Sequence, residues 1–159
     1  MKKEALKRIL NFLLENEGKK PEMYGSIAWK IIFNEPIKKE ELNVEGLYLN
    51  YLDITSLPEG LKVGGDLLLW GTPITSLPEG LTVGSDLDLS ETPITSLPEG
   101  LKVGGQLWLI GCDNLTSLPK GLEVGEDLHL PSDFLLRSHS DDELREMVKP
   151  GFIKGEIYR

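Results

Sequence analysis

Few side chains in this chain are equipped for covalent or metal chemistry. There are two histidines, His129 and His139, and one cysteine, Cys112. Neither histidine belongs to a Cys/His set with ligand spacing, so no zinc site is expected. The nearest approach to a metal-ligating group is Asp127, His129 and Asp133. Asp66 and Asp86 recur at equivalent places and form a short carboxylate ladder. They lack the ligand-rich loop that calcium requires. The Gly64-Gly65 pair is followed by neither Lys-Ser/Thr nor a helix, so it is not a phosphate loop. Catalysis needs a convergent base, nucleophile and charge stabiliser. No such constellation is legible, and the expectation is a non-enzymatic protein without a metal or cofactor.

The elements that hold these residues are repeats. Ile54 opens I-T-S-L-P-E-G-L-K-V-G-G-D-L-L-L-W-G-T-P, and near-copies open at Ile74, Ile94 and Leu115. Pro58, Pro78, Pro98 and Pro119 mark periods of 20, 20 and 21 residues. A fixed period of this length signals a solenoid, whose usual role is to present a surface.

Within one unit, Leu67 and Leu69 alternate around Leu68 and share one face of a strand. Thr72 stands where the chain leaves the strand, and its hydroxyl is expected to bond a neighbouring coil's backbone. Ile74 and Leu77 return to the core. Pro78 tolerates its missing N–H outside a ladder. Glu79-Gly80 supplies a turn. Leu81 and Val83 point inward again, and Gly84-Ser85 bends the chain into the next strand. An earlier strand of the same type is expected at Leu47, Tyr48 and Leu49.

The spacing L-x-L-x-x-(N/T)-x-(I/L)-x-x-L-P resembles the leucine-rich-repeat family, over roughly residues 42–136. Leu67, Leu69, Thr72, Ile74 and Leu77 stand at the family's positions, as do Leu87, Leu89, Thr92, Ile94 and Leu97. In the third unit Cys112 takes the turn position with one added residue, a known variant, and so reads as a small buried group. The units depart from the family at Gly64, where a leucine is usual; Val63 takes over the filling. The resemblance implies an α/β solenoid, a right-handed coil with a parallel β-sheet on one face and tight turns on the other. It is closest to short L-P-rich repeats found in bacteria and in small proteins of their phages.

Length and composition fit one domain spanning residues 1–159. Residues 1–40 read as a helical N-terminal cap, 41–136 as the repeats and 137–159 as a C-terminal cap of helix plus strand. A helical stripe runs over residues 5–15, with Leu6, Ile9, Leu10 and Leu13, and Gly18 closes it. A second helical pattern covers residues 21–33, with Pro21 at its start; a strand at residues 31–33 and a degenerate rung remain alternatives. Ser140 and Glu143 form a capping box. Gly155-Glu156-Ile157 echoes Gly65-Asp66-Leu67, which predicts a last strand added to the sheet. No signal peptide or membrane span is read, and one cysteine excludes an internal disulfide framework, so the expected location is cytoplasmic. The formal net charge of −9 argues against nucleic acid as a partner.

Recognition is expected at positions that vary between copies. Beside the strand leucines these are Asp66, Asp86, Gln106 and Asp127; then Tyr48, Leu68, Asp88, Trp108 and His129; then Trp70, Ser90 and Ile110; then Tyr51, Glu91 and Ser132. Tyr48, Tyr51, Leu68, Trp70, Trp108 and Ile110 make an apolar, largely aromatic patch on a face solvent should reach. Asp66, Asp86, Asp88, Glu91 and Asp127 form an acidic strip suited to a basic protein partner. Three readings stay open. The first is a protein-binding module. The second is a phage or bacterial inhibitor of a host defence or nucleic-acid-binding protein, acting by steric block or acidic mimicry. The third is a homo-oligomeric structural protein, such as a homodimer joined through the aromatics.

Overall fold

The computed structural model describes residues 26–131 and 138–159. The stripe over residues 5–15, its stop at Gly18, the start at Pro21, and Ser132 and Asp133 lie outside the described residues. What is described is a β-solenoid in which each coil carries two short strands. They are β1 (Asn43–Val44) and β2 (Leu47–Tyr48), β3 (Lys62–Val63) and β4 (Leu67–Leu68), and β5 (Thr82–Val83) and β6 (Leu87–Asp88). They continue as β7 (Lys102–Val103) and β8 (Leu107–Trp108), β9 (Glu123–Val124) and β10 (Leu128–His129), and β11 (Phe152–Ile153) and β12 (Ile157–Tyr158).

The strands form two six-stranded parallel sheets, β1-β3-β5-β7-β9-β11 and β2-β4-β6-β8-β10-β12. The second is the sheet expected from the strand leucines, and its register runs Leu47, Leu67, Leu87, Leu107, Leu128, Ile157. The first lies where the sequence reading placed only turns. Its cause is the Leu61-Lys62-Val63 alternation, which repeats the period of Leu67-Leu68-Leu69 and buries both apolar residues. Helices lie outside the coils among the described residues: α1 (Ile27–Phe33) precedes them, and α2 (Asp141–Met147) interrupts the step into the last coil.

The core is a continuous column of Leu, Ile and Val. Leu67, Leu69, Ile74, Leu81, Leu87, Leu89, Ile94, Leu107 and Leu109 are all fully buried. Between the two sheets, Gly64, Gly84, Gly104 and Gly125 stack coil on coil. A Cβ on Gly84 would sit 2.1 Å from the Gly64 carbonyl oxygen, and one on Gly104 2.1 Å from that of Gly84. No side chain fits that approach, which explains why glycine stands at this position in these coils.

Thr72 and Thr92 are buried, but their hydroxyls serve their own coil. They donate to the Leu69 and Leu89 carbonyls at 2.8 and 2.7 Å, three residues back. The expected bond to a neighbouring coil is made instead by Cys112, whose Sγ donates to Leu89 O at 2.9 Å. Burial pushes the Cys112 thiol pKa up. A neutral, buried thiol fits the reading of a small turn group.

At the N-terminal end, Ser26 caps α1 by accepting from Trp29 N at 3.2 Å, and Asn34 closes it with φ 55°. The strand alternative for residues 31–33 is thereby overturned. So is the degenerate rung: Lys30 lies on the helix, with Nζ 2.7 Å from Glu41 Oε2. At the other end Ser140 and Glu143 form the expected capping box, and Leu144 and Val148 are fully buried. The last strand, β12, joins β10 as the Gly155-Glu156-Ile157 echo predicts, and β11 adds to the other sheet.

Candidate binding face

The outward side of the β2-to-β12 sheet gathers the variable residues. Register places Tyr48, Leu68, Asp88, Trp108 and His129 in one row, each opposite the next. Parallel neighbours sit about 4.8 Å apart, so side chains along such a row touch. Tyr158 continues it beyond His129.

The aromatic residues divide into two groups. In one, the His129 ring stacks on Trp108 at 3.6 Å with an interplanar angle of 5°, and on Tyr158 at 4.9 Å and 12°. His129 Nε2 is 3.2 Å from Gln106 Oε1. Desolvation between the rings lowers the His129 pKa, partly offset by the Asp127 charge. In the other group Tyr51 packs on Trp70, centroids 5.0 Å apart and tilted by 46°. Asn50 Oδ1 accepts from the Trp70 backbone N–H at 3.1 Å. The coil carrying Asp88, Ser90 and Glu91 lies between the groups, so the patch is two aromatic clusters separated by a polar strip. Tyr48, Tyr51, Trp70, Ile110 and Tyr158 are exposed, whereas Leu68, Trp108 and His129 are half-buried.

Most of the acidic strip is engaged with backbone. Asp86 N donates to Asp66 Oδ1 at 3.3 Å, Gln106 N to Asp86 Oδ1 at 2.8 Å, and Glu156 N to Asp127 Oδ1 at 2.9 Å. Ser90 N donates to Asp88 Oδ1 at 2.8 Å. Four of the five expected acidic residues therefore organise coils as well as charging the face. Glu91 differs: it is exposed, and its carboxylate has no partner among the described residues.

Sequence reasoning passed over Tyr158 and the contact of Gln106 with His129. Both were available. Ile157-Tyr158 repeats the Leu67-Leu68 register, and Gln106 replaces aspartate in its column one coil before His129. No group of three or more His, Cys, Asp or Glu positioned for a metal occurs among the described residues. Nor is any helix among them long and apolar enough to cross a membrane. Comparison with models of known protein families, with curated proteins and with solved structures finds no match.

Proposed function

We propose that this chain is a non-enzymatic protein-interaction module of the leucine-rich-repeat type, working in the cytoplasm. Its outward β2-to-β12 face binds a protein with a basic, partly apolar surface. The observation that carries this reading is the pairing of two aromatic groups, Tyr51–Trp70 and the partly exposed Trp108–His129–Tyr158, on one sheet with acidic residues between them. Trp and Tyr supply large contact area at low cost in side-chain entropy, which is why they dominate binding hot spots. The acidic residues favour a cationic partner surface and steer its approach. The rigid ladder beneath holds both groups in place before binding, which lowers the ordering cost.

Capture of partners from lysate of the source cells tests this reading. The Trp70→Ala/Trp108→Ala variant should fold as the wild type does and lose the captured protein. Equal capture by both would overturn the proposal. Sedimentation of the isolated chain checks self-association: a stable dimer dispersed by the same two substitutions would assign the face to a second copy instead.

A further inference from the structure

Tyr51, Gly71, Glu91 and Gly111 occupy one position in four successive coils, where the chain turns off the β2-to-β12 sheet. All four are left-handed, with φ of 58°, 67°, 56° and 74°. Glycine accepts this conformation, whereas a tyrosine or glutamate there costs about 1 kcal/mol. The two side chains present lie over the glycines. A Cβ on Gly71 would stand 2.7 Å from Tyr51 Cδ1, and one on Gly111 3.3 Å from Glu91 Cγ. The Tyr51 ring thus lies over Gly71, and the Glu91 side chain leans over Gly111 one coil further on.

Beside them is a cleft of about 480 Å³ whose lining includes Tyr51, Asp53, Gly71, Pro73, Glu91 and Pro93. Tyr51 forms one aromatic wall, buttressed by Trp70 at 5.0 Å. Asp53 and Glu91 are both exposed, and neither carboxylate has a hydrogen-bond or ion-pair partner among the described residues. An aromatic face beside unpaired carboxylates selects a cation. A guanidinium suits the site better than an ammonium. It is planar enough to lie against the Tyr51 ring while its N–H fork donates to a carboxylate. Its weaker hydration also makes it easier to bring against the proline walls.

We propose that this cleft is the anchor site for an arginine side chain of a protein partner. The assignment rests on the protein-binding reading above and names the chemistry that one part of the face recognises. Glu91 is the principal acceptor, Tyr51 the stacking surface, and Asp53 adds charge at the far side.

The test is a titration of the isotope-labelled full chain with acetyl-Gly-Arg-Gly-amide, followed by amide chemical shifts. The citrulline peptide, neutral and of the same shape, is the control. Saturable shifts centred on Tyr51, Gly71 and Glu91 are expected for the arginine peptide within roughly 50 mM, a weak but measurable affinity. Citrulline should bind at least fivefold more weakly. Glu91→Gln should weaken the arginine peptide at least threefold, and Tyr51→Leu should do so too. No localised shift, or equal response to both peptides, would overturn the assignment. If that happened while Trp70→Ala/Trp108→Ala still abolished partner capture, the binding face would stand and the arginine anchor alone would fall.

Discussion

Asp86 reaches across one coil: its Oδ1 accepts from the Gln106 backbone N–H at 2.8 Å, and a Cβ on the preceding Gly105 would lie 2.2 Å from that same oxygen. Aspartate in one coil is thus matched by glycine in the next. The pattern recurs at Asp127 and Gly155, where the carboxylate accepts from Glu156 N at 2.9 Å and a Cβ would stand 2.3 Å away. Where the following residue is Ser85, the corresponding bond from Asp86 N to Asp66 lengthens to 3.3 Å. The acidic column is therefore part of the scaffold, whatever else it does on the proposed binding face.

A distinction between acceptor and charge follows. Asp86→Asn keeps an oxygen for Gln106 N and should change stability by less than about 0.5 kcal/mol. Asp86→Ala removes the acceptor and should cost about 1.5–3 kcal/mol, the range for a hydrogen bond to a charged group. Urea unfolding of the two variants measures the difference. Equal losses would mean that the charge, not the bond, is what matters.

Gly84 has no room for a side chain, because its Cβ would meet the Gly64 carbonyl oxygen at 2.1 Å. Gly84→Ala must push two coils apart and break part of both ladders. A loss of at least about 2 kcal/mol is expected, in the range of overpacking and backbone-clash substitutions. Gly80→Ala is the control: its Cβ meets nothing within 4 Å, and the cost there comes from its φ of 71° alone. Thermal unfolding should rank Gly84→Ala as the more damaging change.

His129 gives a pH dependence of defined sign. Burial between Trp108 and Tyr158 lowers its pKa from the usual 6.5. A depressed histidine pKa means the unfolded chain binds the proton more readily. The neutral stack's contribution is fully present above pH 6.5 and is lost as pH falls through the lower, folded value. His129→Phe keeps an aromatic ring and should flatten the acid limb of the stability–pH curve. The same acid limb in both proteins would remove His129 as its source.

Glu91 is held at φ 56°, where glycine is favoured. Glu91→Gly should leave stability unchanged or raise it by about 0.5 kcal/mol, since strain relief is partly cancelled by glycine's larger unfolded-state entropy. The same change should weaken arginine-peptide binding. Denaturant midpoints and the peptide titration, made on one preparation, check both halves. A marked loss of stability would show that Glu91 supports the coil in a way its exposed position does not suggest.

The core was the most legible part of this chain, because period-two leucines and a 20-residue repeat admit few arrangements. Leu67, Leu69, Ile74 and Leu77 are buried as expected. The second sheet was equally encoded, in Leu61 and Val63, but two-residue strands leave a signal as short as a turn. The Thr72 bond was misdirected because spacing places a hydroxyl at a turn without saying which carbonyl it meets. The face was legible as a set of variable residues, not as two groups. Stacking of His129 depends on Tyr158, which reaches the row only after a 29-residue step through α2.

The claim that recognition belongs to the β2-to-β12 face, and not to the other sheet, is tested most directly by comparing two surface variants in partner capture. Trp70→Ala/Trp108→Ala alters the first face, and Lys62→Ala/Lys102→Ala alters exposed residues of the second. The account predicts that the tryptophan variant loses the partner while the lysine variant keeps it, with both remaining folded at the temperature of the capture. Retention by the tryptophan variant and loss by the lysine variant would contradict it.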